Sequence, residues 1–335
     1  MTMATHLPTR PFGKTGMQIT RLGIGAWAMG GNMWGPQDDA ESAAAIRHAV
    51  DLGINWIDTA AAYGVGHSEE VIGQTLRQLP ADKRPLVFTK GGVIRDANGQ
   101  NPRRIGERQS LRNELENSLR RLGIETIDLY QIHWPSDDVP LEEYWATMLE
   151  LKQEGKVRHV GMSNHNVEQL NRAEAMGHVE TLQPPFSMIR RDTAADILPW
   201  CAAHGTGTIC YSPMQAGLLT GSFTRERAAS LDENDWRRGN DQFTGEKLER
   251  NLALVDALRP IAEARNVSLG TLALAWVLAW PGLTAAIVGA RSPAQVDGWI
   301  DAATFELTPA DLAAIAAAIE TTGAGQGPVQ PASAG

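Results

Sequence analysis

Apolar residues in this chain fall into two rhythms. Short continuous runs recur as RLGIGAW (21–27), INWID (54–58), LVFTK (86–90), IDLYQIH (127–133), VRHVGMS (157–163), TLQPPF (181–186), TGTICYS (206–212) and AAIVGA (285–290). Most lack the in/out alternation of a half-exposed sheet, as expected of strands covered on both faces of a parallel sheet. Between them lie stretches such as DDAESAAAIRHAVDLG, SEEVIGQTLRQL and RQSLRNELENSLRRLG. Their apolar residues repeat at i, i+3 and i+4, the pattern of surface helices, and the first and third end at glycine. Eight strands alternating with helices predict an α/β fold with a parallel sheet. The interval from residue 212 to 285 is longer than one βα unit. It holds the polar stretch SFTRERAASLDENDWRRGNDQFTGEK and two helices, and is read as an insertion between strands seven and eight. RPFGKTGMQITRLGIG predicts an N-terminal β-hairpin with Gly16 in its turn, and the glycine- and proline-rich residues 323–335 are expected to be disordered. Residues 1–322 then form one domain.

Two segments invite other readings. GIGAWA (23–28) matches G-x-G-x-x-A, but MGGNMWGPQ follows where that dinucleotide fingerprint requires a helix. LGTLALAWVLAWPGLTAAIVGA (269–290) is apolar enough to suggest a membrane span. Pro281 and Gly282 divide it into a helix and a strand, each too short to cross a bilayer.

Composition narrows the function. The 335 residues suffice for one barrel with insertions, and 43% apolar content supplies its core. A net charge of −9 argues against nucleic acid or an anionic membrane as the main partner. Any anionic ligand must be held by local positive groups. Cys201 and Cys210 form neither a disulfide framework nor a CxxC pair, and MTMATHLPTRPFGKTG lacks a signal-peptide core, so the cytoplasm is the expected compartment.

Chemistry gathers where strands end. Asp58 closes the second run, Lys90 the third and His133 the fourth, with Tyr63 just beyond the second. In an eight-stranded β/α barrel these would converge at one mouth, where such barrels place their active sites. A lysine ending LVFT needs a partner, and Asp58 on the next strand supplies one; the alternative is a purely structural ion pair. An ammonium beside Tyr63 is expected to pull the phenol from its usual pKa of about 10 toward the working range. His133 and Tyr63 could then donate to a carbonyl oxygen that gains charge as hydride arrives at its carbon. A core histidine is the bland alternative. Metal chemistry is disfavoured, because the mouth offers one carboxylate beside a lysine and no ligand cluster.

The contexts NWIDTAAAYG, FTKGG and DLYQIHWP, with Asp58, Tyr63, Lys90 and His133 in them, resemble the aldo-keto reductases from about residue 8 to 320. The resemblance implies a (β/α)8 TIM barrel that binds NADPH, or with less preference NADH, in an extended pose. Tyr63 would be the general acid in carbonyl reduction and the base in alcohol oxidation. The cofactor-binding positions it implies are Gly25, Trp27, Asp58, Ser163, Asn164, Gln183, Tyr211, Ser212, Pro213, Met214, Gly217, Leu219, Gly289, Arg291 and Gln295. Ser163, Asn164 and Gln183 would hold the nicotinamide amide, unless the first two merely cap the next helix. Tyr211 would stack on the nicotinamide ring, backbone N–H groups of Gly217, Leu218 and Leu219 would face pyrophosphate, and Arg291 would pair with a 2′-phosphate. Many members carry Glu-Asn where this chain has Gly298 and Trp299, so the adenosine contacts there are expected to differ. Trp27, Trp34 and Trp134, with Tyr63 and His133, are the candidate substrate wall. Arg95, Arg103, Arg104 and Arg108 lie in a loop read chiefly as solvated charge, with contact of one of them to a sugar acid or phosphorylated aldehyde as the alternative, and residues 221–247 are a candidate lid over the cofactor. The expected partner is a small carbonyl or sugar-like molecule. The family also contains potassium-channel β subunits that bind NADPH and serve mainly as partners, so a redox-sensing subunit is the alternative function.

Overall fold

The computed structural model describes residues 7–331 apart from 32, 33, 35, 36 and 97. Its centre is a closed barrel of eight parallel strands. They are β1 (Leu22–Gly25), β2 (Trp56–Asp58), β3 (Leu86–Gly91), β4 (Ile127–Ile132), β5 (Val157–Ser163), β6 (Thr181–Gln183), β7 (Gly207–Cys210) and β8 (Ala285–Gly289). Each pairs with its neighbours in the sequence, and β8 closes on β1 through Gly289 opposite Gly25. All eight coincide with the apolar runs, β3 extending one residue past its run to Gly91. Six helices alternate with the first seven strands: α1 (Asp39–Asp51), α2 (His67–Gln78), α3 (Arg108–Leu122), α4 (Leu141–Gln153), α5 (Val167–Glu174) and α6 (Ile197–His204). Strong caps mark several starts: Asp38 accepts from Ala40 N–H before α1, and Asn166 and Gln169 form a capping box on α5.

The interior is filled from below. Trp56, Phe88, Leu129, Ile209 and Ala285 point inward together with Phe12 and Ile19 of the N-terminal hairpin (Thr9–Pro11 with Gln18–Thr20). Trp56 stacks on Phe88 at 5.3 Å, and its Nε1 donates to the Thr20 carbonyl at 2.9 Å. A Cβ at Gly23 would lie 2.2 Å from the Trp56 ring, so only glycine leaves room for it. Side chains on a strand repeat every second residue. Two residues above Trp56, Phe88 and Leu129 therefore stand Asp58, Lys90 and Gln131, and His133 comes next after Gln131. The packed lower layer thus fixes a polar layer at the mouth.

The segment between β7 and β8 is more structured than a polar loop. It contains α7 (Arg225–Ala229), short turns at Trp236–Gly239 and Asp241–Phe243, then α8 (Gly245–Ala264) and α9 (Leu269–Leu278), followed after β8 by α10 (Pro293–Asp297) and α11 (Pro309–Thr322). Every residue of α9 is buried, and no described helix is long and apolar enough to cross a membrane. The glycine-rich tail departs from its composition. Ala324 is buried, its carbonyl accepts from Arg191 Nη1 at 3.0 Å, and the Gln326 carbonyl accepts from Arg191 N–H at 3.0 Å. Gly325, at φ 65°, packs so closely on Ile189 that a Cβ would lie 1.9 Å from its carbonyl oxygen. There the glycines serve close approach rather than disorder; residues 332–335 lie outside the described residues.

Candidate active site

Lys90 is wholly buried, and its Nζ donates to Asp58 Oδ1 at 2.6 Å and to the Thr59 carbonyl at 2.7 Å. The second carboxylate oxygen, Oδ2, accepts from Gln183 Nε2 at 2.8 Å. Burial drives Asp58 upward and Lys90 downward in pKa, and each opposes the other's shift. With both carboxylate oxygens accepting and the ammonium donating twice, the contacts are those of an ionised pair. The pair is therefore charged but internally neutralised.

Tyr63 sits above it, half-buried, on a turn that Val65 (φ 55°) and Gly64 (φ 60°) carry through the left-handed region. A Cβ on Gly64 would strike the Gly30 carbonyl at 2.3 Å, which fixes this loop against the one after β1. Lys90 Nζ lies 5.2 Å from the Tyr63 ring centre, and the His133 ring meets Tyr63 edge to face at 5.6 Å. The phenol is not pulled down toward neutrality as its neighbour suggested. Burial first, then the Asp58 carboxylate, hold it well above the usual phenol range. Asp58, 2.6 Å from Lys90, opposes the field that the ammonium would exert. His133 is held well below the usual imidazole range by burial, then by Lys90 and Arg95, so it is neutral. Its Nδ1 is buried with no hydrogen-bond partner among the described residues.

A polar chain runs around the mouth from this pair. Ser163 Oγ donates to the Gln183 carbonyl at 2.7 Å, Asn164 Nδ2 to Ser163 Oγ and to the His133 carbonyl, both at 3.0 Å, and Tyr211 Oη to Asn164 Oδ1 at 2.7 Å. Asn164 adopts φ 63°, and α5 is capped by Asn166 instead, so Ser163 and Asn164 are not the helix cap. Positive φ recurs at Ser212, Gln215 and Ala216 after β7. Left-handed backbone at non-glycine residues tends to gather at functional sites.

These groups open onto one cavity of about 1010 Å³. Of the candidate cofactor positions, Gly25, Trp27, Asp58, Ser163, Asn164, Gln183, Tyr211, Ser212, Pro213, Met214, Gly217, Gly289, Arg291 and Gln295 line it; of the substrate wall, Trp27, Trp34, Tyr63, His133 and Trp134 do. Arg227, Arg237 and Arg291 also line it, so a pyrophosphate and a further phosphate would find guanidinium partners, and the residues present fit an extended dinucleotide. The Arg291 guanidinium is steadied by the Gln37 side chain and the Trp34 carbonyl, while Gln295 Oε1 accepts from Arg291 N–H at 2.8 Å. Above the mouth Trp27, Trp34 and Trp236 pack ring on ring, at 5.1 Å for Trp27–Trp34 and 5.6 Å for Trp27–Trp236.

Residues 21–320 match the aldo/keto reductase family. The chain belongs to the aldo/keto reductase family. It is 36% identical to the aldo-keto reductase YhdN of Bacillus subtilis over 92% of each chain. It is 33% identical to the NADH-specific methylglyoxal reductase of Escherichia coli over 90% of this chain and 95% of that one. A glycerol dehydrogenase from Gluconobacter oxydans superposes with a TM-score of 0.87 at 35% identity, covering 97% of this chain and 98% of its own. The protein is an oxidoreductase acting on carbonyl or alcohol groups in a family that uses nicotinamide cofactors.

Within this aldo/keto reductase some sequence expectations need correction. Leu219 does not reach the cavity: its side chain is buried in the core, and its N–H, like that of Gly217, donates to the Met214 carbonyl at 3.2 Å. The left-handed Ala216 and Gly217 reverse the chain there and turn both amides inward. Gln183 faces Asp58, not only the cavity. Trp299 lines the wall but is 3% exposed and packed in the core, so it fills space. Gln131, whose Oε1 accepts from Gln183 Nε2 at 3.5 Å beside the Asp58 carboxylate, was missed. The available signal was a polar side chain two positions before His133. Trp236 and Arg237 were passed over as loop residues, although a tryptophan amid solvated charge is itself a signal of packing.

Because the ion pair is buried, Lys90→Met should destabilise the fold by about 3–5 kcal/mol by stranding Asp58. Adding Asp58→Asn should recover most of that loss. Urea unfolding of both variants measures it, and a double variant as unstable as Lys90→Met would contradict the assignment.

Proposed function

We propose that this enzyme reduces an aldehyde or ketone with NADPH, with Tyr63 as the proton donor. The observation that supports it most is the meeting of the Tyr63 phenol and the neutral His133 ring, 5.6 Å apart by ring centres, at the cavity wall above the Lys90–Asp58 pair. A bound nicotinamide supplies the hydride. A substrate oxygen between Tyr63 and His133 meets two neutral donors, whose pull grows as the oxygen becomes an alkoxide. Neutral donors suit a buried wall, because they add no charge to it before reaction. The alkoxide is far more basic than phenolate, so a phenol held above its ordinary pKa still gives up its proton to it. The phenolate left behind then lies over the Lys90 ammonium. Lys90 and Asp58 touch no substrate in this account; they position Tyr63 and accommodate its charge. In the reverse direction Tyr63 would have to lose its proton first, which favours reduction near neutral pH.

Preference for NADPH rests on Arg291. Enzymes selective for NADH commonly set a carboxylate against the ribose 2′-hydroxyl. Here a guanidinium lines the cavity, and the acidic lining residues among those described are Asp58, paired with Lys90, and Asp137, beside Arg104. The Escherichia coli relative is named NADH-specific, so cofactor choice varies among similar chains.

Two outcomes test this reading. Tyr63→Phe should bind NADPH with little change yet lose about 10²–10⁴ in the rate of NADPH oxidation with an aldehyde panel; equal rates in the two proteins would contradict the proton-donor role. Arg291→Gln should weaken NADPH binding by about tenfold or more while leaving NADH binding nearly constant, as read by tryptophan fluorescence quenching. Equal losses for both cofactors would overturn the NADPH assignment.

A further inference from the structure

A chain of net charge −9 lines its cavity, among the described residues, with five arginines: Arg95, Arg104, Arg227, Arg237 and Arg291. The last three belong to the lobe fitted above to cofactor phosphates. Arg95 and Arg104 lie elsewhere, in the loop whose sequence reads chiefly as solvated charge, with contact to an acidic or phosphorylated substrate as the lesser alternative.

A two-stranded antiparallel ribbon presents them. Val93–Ile94 pairs with Arg103–Arg104, with Val93 opposite Arg104 and Ile94 opposite Arg103. Directly paired residues share a face and alternate residues return to it. Val93, Arg95 and Arg104 thus line the cavity, while Ile94 and Arg103 do not. The ribbon begins at Val93, three residues beyond Lys90 and just past the end of β3, so its position is tied to the reacting centre.

The charge of Arg95 opposes the raised pKa of Tyr63 and adds to the lowered pKa of His133. Its Nη1 is steadied by the Gly99 carbonyl at 3.0 Å, and among the described residues it makes no ion pair within 4 Å. The neighbouring Asp96 instead accepts from Asn98 N–H, Gln100 N–H and Asn101 Nδ2. Arg104 lies over the Trp134 ring at 4.7 Å, a cation–π contact that keeps the guanidinium at the cavity wall. The carboxylate on this side of the lining, Asp137, is 70% exposed and 4.0 Å from Arg104 Nη1. It offsets at most one of the two cations.

Resting on the carbonyl-reductase reading, we propose that the substrates are aldehydes or ketones carrying an anionic group, a carboxylate or a phosphate, a few bonds from the carbonyl. The carbonyl oxygen meets Tyr63 and His133, the short chain passes Val93, and the anion is taken by Arg95 and Arg104. Both groups present oxygens that a guanidinium fork recognises, so the source of the charge is left to experiment.

The test compares matched pairs with NADPH: 4-oxobutanoate against butanal, and glyceraldehyde 3-phosphate against glyceraldehyde. In each pair kcat/KM should favour the anion by about tenfold or more, chiefly through KM. Preference in one pair only identifies carboxylate or phosphate as the source. The preference ratio should collapse toward one in Arg95→Gln and fall in Arg104→Gln. Because the ratio is taken within one preparation, a partly misfolded variant does not disturb it. No preference in the wild type, or a ratio unchanged in both variants, overturns the proposal. Absence of turnover with every aldehyde would defeat the reductase reading, and the anion site would still be tested by tryptophan quenching of NADPH-loaded protein. Butyrate should bind more tightly than butyramide, and less tightly to Arg95→Gln; equal binding of the two overturns it.

Discussion

An ion pair at the centre of a barrel governs this site. Removing Lys90 and Asp58 from water costs several kcal/mol for each ion. That cost is offset only while the 2.6 Å contact, the Thr59 carbonyl and the Gln183 amide all remain in place. The requirement propagates outward. Gln183 must face Asp58, Ser163 then bonds the Gln183 carbonyl, Asn164 bonds Ser163, and Tyr211 bonds Asn164. Below, Trp56 and Phe88 set the height of the two charged residues, because each is two positions earlier on the same strand. A single packing layer and a single ion pair thus hold residues from five strands and the loops that follow them in register.

Neutralisation inside the pair also shapes the chemistry. An isolated ammonium would make Tyr63 more acidic; a paired one leaves burial in control, so the phenol keeps its proton. The neutral His133 beside it points the same way. Both groups can donate to a developing alkoxide without placing charge in the wall beforehand. In the proposed reaction, ligand groups that carry their own negative charge would meet the arginines that line the cavity.

The fold was largely legible because buried parallel strands appear as continuous apolar runs, and a charged residue ending such a run stands out. Asp58, Lys90 and His133 were found in that way. Gln131 was hidden because Tyr130 and Ile132, which point outward from the barrel into the helical layer, make the segment look uniformly apolar. The left-handed turns at Asn164 and Ser212 carry no glycine to announce them. Trp236 and Arg237 sit in a stretch whose composition resembles solvent-exposed loop, and only tertiary packing brings them to Trp27 and Ala216. The proton affinity of Tyr63 was misjudged for a similar reason: sequence shows which charges are near, not which cancel. The tail at Ala324–Gly327 reads as flexible by composition, yet its backbone is held by Arg191.

Paired with Asp58, Lys90 leaves Tyr63 a phenol. The chain has only four tyrosines, so labelling them with 13C at Cζ and following each by NMR from neutral to alkaline pH resolves Tyr63 directly, with Tyr63→Phe assigning its signal. Tyr63 should not ionise until well above the ordinary phenol pKa of about 10. A midpoint near neutrality would contradict it, and would return Tyr63 to the role of a phenolate poised by an unscreened lysine.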